Sequence, residues 1–102
     1  MGLKVILSPR AIQDLQEIVR YIALDDPTRA ERFGFALLDR TQLLSSFPQI
    51  GRVVPETRDD TFREVIYKSY RIIYRVNDRN QVIEVSRFWH AARGTPFLPP
   101  YE

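Results

Sequence analysis

Apolar positions change their spacing twice along the chain. "LKVILS" at 3–8 is a short apolar run rich in β-branched residues that stops at a proline, which predicts a strand. From Ser8-Pro9, a capping residue followed by a proline at the first helical position, Ile12, Leu15, Val19 and Ile22 recur at helical spacing. Ala11 and Ile18 widen that stripe. "DDP" ends this helix, and Asp26-Pro27 repeats the start signal for a second one with Ala30, Phe33, Leu37, Leu38 and Leu44 on its apolar face. So short a connection folds the two helices into an antiparallel hairpin. Pro48 disfavours helical geometry in the residue before it, so the second helix ends by Phe47.

After a loop at 48–60 the period falls to two. Strands are expected at 62–68, 70–76 and 82–88, joined by a turn at Lys68-Ser69 and a loop at 77–80. In the register this implies, Val65 faces Ile72, Tyr67 faces Tyr70, and Tyr74 faces Ile83. Val65, Tyr67, Tyr70, Ile72, Tyr74, Val76, Ile83 and Val85 then point toward the helices. Glu64, Ile66, Lys68, Arg71, Ile73, Arg75, Val82, Glu84, Ser86 and Phe88 share the other face, where Glu84 lies near Arg71 and Arg75. Ile66, Ile73, Val82 and Phe88 make that face too apolar for water, while its cations make it too charged for a core, which is the composition of a binding surface. The expected architecture is α+β, in the order β-α-α-β-β-β, with an antiparallel sheet packed on an N-terminal helix hairpin.

Length and composition narrow the classes. A chain of 102 residues suits a single domain, 1–102, with one core. The tail at 93–102 is rich in proline, and its Phe97, Leu98 and Tyr101 are expected to pack along the domain or against a partner. There is no cysteine and only one histidine, so no thiolate or multi-histidine metal site is expected, and no cofactor. The N-terminal apolar run is too short for a signal peptide or a spanning helix, so a cytoplasmic location without membrane partners is expected. Net charge is only +2, yet residues 62–93 hold seven basic side chains against three acidic ones. That excess suits an anionic partner, either nucleic acid or an acidic peptide.

"LSPRAIQDLQEIVRYIA", "FPQIGRVVPE", "FREVIYKSYRIIYRV" and "HAAR" occur in an order and spacing that resemble the ParE branch of the RelE/ParE toxin superfamily. The resemblance covers about residues 3–93. It implies the toxin of a type II toxin–antitoxin, or plasmid-stabilisation, module, held inactive in a hetero-oligomer with its antitoxin. ParE-type toxins are understood to inhibit DNA gyrase without cleavage chemistry of their own; RelE-type toxins cut messenger RNA on the ribosome. RNA cleavage needs a base, a cation for the phosphate and an acid for the leaving oxygen. Arg71 matches the strand arginine of the RelE type, whereas Lys68 and Arg63 fall out of register, Arg93 is shifted and the late tyrosine has no counterpart. His90 offers an imidazole as a substitute acid or base. An RNase site would therefore comprise Arg71, Lys68 and His90.

The ParE reading accounts for more. "HAAR" at 90–93 and "PQIGR" at 48–52 match that branch, with Gly51 expected to allow a turn and Arg52 to project from it. The helix hairpin also has the length of that branch. The expectation is an inhibitor-type toxin rather than an enzyme, with the messenger RNA endonuclease and a non-toxic antitoxin-binding remnant as alternatives. The expected antitoxin- or target-binding set is Arg63, Ile66, Lys68, Arg71, Ile73, Arg75, Phe88, Trp89, His90 and Arg93. Trp89 suits either an interface anchor or a buried residue closing the sheet.

Overall fold

The computed structural model describes residues 2–57, 60–96 and 98. Ser8 is extended and its hydroxyl accepts the Ala11 N–H, starting α1 at Pro9–Ala23. Asp26 does the same for the Arg29 N–H and starts α2, Pro27–Ser46. The helices pack closely where Gly34 meets Val19; a Cβ on Gly34 would lie 2.9 Å from a Val19 methyl. Both starts are those expected, because each signal is local to a few residues.

The strands are β1 (Lys4–Leu7), β2 (Arg52–Val53), β3 (Phe62–Tyr67), β4 (Tyr70–Asn77) and β5 (Val82–His90), in sheet order β1-β5-β4-β3-β2. β1 runs parallel to β5, and every other pairing is antiparallel, so the sheet is mixed. β2 is a two-residue strand inside the segment expected to be a loop. It forms because Arg52 and Val53 pair with Glu64 and Arg63, a contact that no period in so short a segment announces.

The β3–β4 register is the expected one, with Val65 opposite Ile72 and Tyr67 opposite Tyr70. Lys68 bears the cost of this tight turn, with φ at 55°. The β4–β5 register differs by two residues: Asn77 pairs with Val82, so the loop lies at 78–81, and Tyr74 meets Val85. The Asn77 side chain accepts the Asn80 N–H inside that loop. A two-residue slip keeps every side chain on its face. A bulge then breaks parity: Ile73 pairs with Arg87 but Tyr74 with Val85, leaving Ser86 as the extra residue. Beyond it Phe88 sits opposite Ile72 and packs into the helix-side core, which corrects its expected place on the far face.

Two cores result. Ala11, Ile18, Leu37 and Leu44 from the helices meet Ile72, Tyr74, Ile83, Val85 and Phe88 from the sheet. On the far face, Val54, Phe62, Ile73 and Trp89 form a second cluster on which Leu98 packs. Pro96 is buried as well. Phe97 and Tyr101 lie outside the described residues, so of the apolar tail residues only Leu98 is placed, and it packs along the domain.

Candidate functional site

At the centre of the far face, charge is buried rather than displayed. Glu64 on β3 has a side chain that is 0% exposed, and Arg71 on β4 is only 8% exposed. Arg71 Nε donates to Glu64 Oε1, while its Nη1 and Nη2 donate to Glu56 Oε2 and Oε1 at 2.7 and 2.6 Å. Arg52, opposite Glu64 in the ladder, donates Nε to Glu64 Oε2 at 2.6 Å. Glu64 and Arg71 are thus satisfied at the buried centre, the condition for keeping their charge out of water, while Arg52 and Glu56 complete the network from its solvent-exposed margin. The hydrogen bond from Arg71 holds the Glu56 carboxyl below the ordinary carboxylate range. Hydrogen bonding to Glu56, partly offset by burial, pushes Arg71 further toward its charged form.

With these bonds, further ones strap residues 48–57 to the sheet. Arg63 Nη1 donates to the Gly51 carbonyl at 2.8 Å. The Gly51 N–H donates to Tyr74 Oη at 3.0 Å, and that hydroxyl donates to the Pro48 carbonyl at 2.9 Å. A Cβ on Gly51 would lie 2.6 Å from the Glu64 carbonyl oxygen and 2.7 Å from Tyr74 Oη. Glycine is required here by close approach, which corrects the expectation of a turn conformation; Gly94 is the glycine with positive φ, at 90°.

At the other end of the sheet, β1 stops at Leu7, opposite Val85, and among the described residues no strand continues along that edge of β5. The first half of α1 takes its place. The Ser8 N–H donates to the Val85 carbonyl at 2.9 Å, and the Ser8 hydroxyl donates to that of Ser86 at 3.0 Å. Asp14 accepts the Phe88 N–H at 3.1 Å and both Arg87 Nε and Nη2, at 2.7 and 2.9 Å. Sequence reading did not single out this buried pair, although one signal was available. Asp14 occupies the buried helical stripe between Ala11 and Ile18, where an acid needs a partner.

The structure divides the expected binding set. Ile73 and Trp89 are interior on the far face, Phe88 is interior on the helix side, and Arg71 belongs to the buried network. Their burial corrects the picture of an open recognition face, because Val54, Glu56 and Leu98 pack on it. Arg75 is half-buried, 3.4 Å from Glu84 as the charge pattern suggested, with its guanidinium over the Phe62 ring. Arg63 is half-buried, while Ile66, Lys68 and Arg93 are exposed. His90 stands edge-on to Tyr70 with ring centroids 5.0 Å apart, and its Nδ1 accepts the Ala92 N–H.

Arg71, Lys68 and His90 are not brought together. Tyr70 and Ile72, the neighbours of Arg71, pack toward the helices, and His90 pairs with Tyr70. Arg71 points to the opposite face, and Lys68 lies at the hairpin tip against Tyr67. Besides Ile66, exposed large apolar side chains include Tyr21, Leu24 and Phe35 on the helix hairpin and Phe47 and Ile50 after it. The sequence pattern did not flag these residues. Among the described residues no group of three or more side chains could hold a metal ion, and no helix is long and apolar enough to cross a membrane.

A family model described as the ParE toxin of the type II toxin–antitoxin system parDE matches residues 5–94. Among solved structures, the RelBE2 toxin–antitoxin complex of Mycobacterium tuberculosis contains a similar chain, with a TM-score of 0.67 and 20% identity over 88% of this chain and 99% of that one. A chain of the chromosomal ParDE system of P. aeruginosa is similar at a TM-score of 0.72 and 17% identity, covering 87% and 96% of the two chains. At these identities the likeness to both structures is one of fold. No curated protein matches the sequence.

Proposed function

Because the chain belongs to the family of ParE toxins of type II toxin–antitoxin systems, we propose that it acts by binding and inhibiting a protein target, with DNA gyrase the first to test, and that a cognate antitoxin neutralises it. The observation that carries this reading is the state of Arg71. A phosphate-stabilising arginine must be free to meet its substrate. Here both edges of the guanidinium are engaged by Glu56 and Glu64, and His90 lies on the other face of the sheet. The antitoxin contact would use the accessible part of the expected set, Ile66, Lys68, His90 and Arg93, with Arg63 and Arg75 at its margin. The exposed Tyr21, Leu24 and Phe35 supply apolar area alongside.

Induced expression in a sensitive host tests this. Filamentation with an SOS response, and inhibition of supercoiling by gyrase in vitro, are the expected results. Transcript cleavage at codon boundaries with arrest of translation would establish the endonuclease instead. Growth without any defect would leave an antitoxin-binding remnant.

A further inference from the structure

A cleft beside the N-terminus of α1 shares Arg75 and Arg93 with the antitoxin contact proposed above, but its concave shape and its other lining residues suit a small ligand. Its volume is about 650 Å³, within the range of small-ligand sites. Arg10, Arg75, Arg87 and Arg93 line it, against one lining carboxylate, Glu84. Arg75 is held near Glu84 and Arg87 is clamped by the buried Asp14. Arg93 lies against the Trp89 indole, 4.2 Å from the ring centroid, and has no carboxylate partner among the described residues. The Arg10 side chain is 52% exposed, and its nearest acid is Asp14 at 3.9 Å, already bonded to Arg87. Set against Glu84 and Asp14, the four arginines leave an excess of two positive charges among the described residues. A phosphate dianion matches that excess and a single carboxylate does not.

Two further features point the same way. Ser8, Pro9 and Arg10 also line the cleft, so the positive end of the α1 dipole faces it. Ser86, the extra residue of the bulge, lines it too and is 4% exposed, and its hydroxyl oxygen is buried without a hydrogen-bond partner among the described residues. Orphaned buried hydroxyls are rare in native proteins, and a ligand oxygen would complete this one.

We propose that this cleft binds a phosphoryl group, as a phosphate ester or polyphosphate. Arg10 and Arg93 engage its oxygens and Ser86 donates its hydroxyl. Trp89 is the only tryptophan in the chain, so its fluorescence reports on the cleft directly. Inorganic pyrophosphate titrated into the purified full chain should give a saturable change, confirmed by calorimetry, that sodium chloride at equal ionic strength does not reproduce. Arg10→Gln should weaken binding by about tenfold, the worth of one charge-assisted contact. Ser86→Ala should weaken it severalfold without lowering the melting temperature, because the hydroxyl it removes has no partner among the described residues.

A nucleoside triphosphate binding more tightly than pyrophosphate would identify a free nucleotide as the source of the group. A 5′-phosphorylated oligonucleotide binding more tightly than its unphosphorylated form would identify a nucleic-acid end. The proposal is overturned if pyrophosphate gives no saturable signal, if tetraglutamate binds and pyrophosphate does not, or if either variant binds pyrophosphate as the wild type does.

Discussion

The two faces of the sheet are both buried, but by different means. On the helix side, apolar side chains from α1 and α2 interlock with Ile72, Tyr74, Ile83, Val85 and Phe88, and shape and area determine the fit. On the far side, a short strap of chain lies over Glu64 and Arg71, and a small apolar cluster around Trp89 flanks the ionic network. An apolar core tolerates substitutions that conserve volume. A buried ionic network tolerates none that leaves one charge unmatched, since the survivor then sits in a medium that cannot solvate it. The far face is therefore the more brittle of the two, although it resembles an exposed charged surface in sequence.

The sharpest way to break this comparison is Arg71→Ala, which removes the buried partner of Glu64 and leaves it only Arg52, whose side chain is mostly exposed. Denaturant unfolding should show a loss of about 3–5 kcal/mol, as for other broken buried pairs. A loss below about 1 kcal/mol, the value of an exposed ion pair, would mean that the far face is open to water. Replacing both partners, Arg71→Met with Glu64→Leu, should recover most of that loss, because no unmatched charge remains inside. Failure to recover would show that the network's geometry, rather than its charge balance, holds the strap.

Tyr74→Phe tests the point where the two faces meet, since this core residue sends its hydroxyl to the strap. It should cost about 1–3 kcal/mol by leaving the Gly51 N–H and the Pro48 carbonyl without their partner. The smallest effect expected is on acid sensitivity. Glu56 has a folded pKa below its ordinary value of 4.5, so its contribution is complete above that value and is lost as pH falls through the lowered one. Glu56→Gln should flatten the stability profile below about pH 4.5 while leaving it parallel to wild type at neutral pH. An unchanged acid limb would mean that Glu56 does not pair with Arg71 in solution.

Much of the fold was legible because its signals are local. Ser8-Pro9 and Asp26-Pro27 each carry their cap within four residues, and alternation from Val65 to Val76 assigns side chains to faces without reference to anything distant. The candidate site was less legible. Alternation grouped Arg71, Ile73 and Arg75 correctly on one face, but it says nothing about what lies over that face. The bulge at Ser86 is also silent in the sequence, and it alone moved Phe88 from one side of the sheet to the other.

By itself, then, the sequence of this ParE-family toxin determined where helices and strands begin, which residues share a face through β3 and β4, and the family to which the chain belongs. Only the tertiary structure decided that Arg71 is enclosed, that Asp14 and Arg87 meet at a sequence separation of 73, and that Gly51 must lack a side chain. The reason is physical. Caps and turns are set by neighbours in the chain, whereas the state of a charge depends on which groups surround it in space, and here those groups arrive from segments remote in sequence.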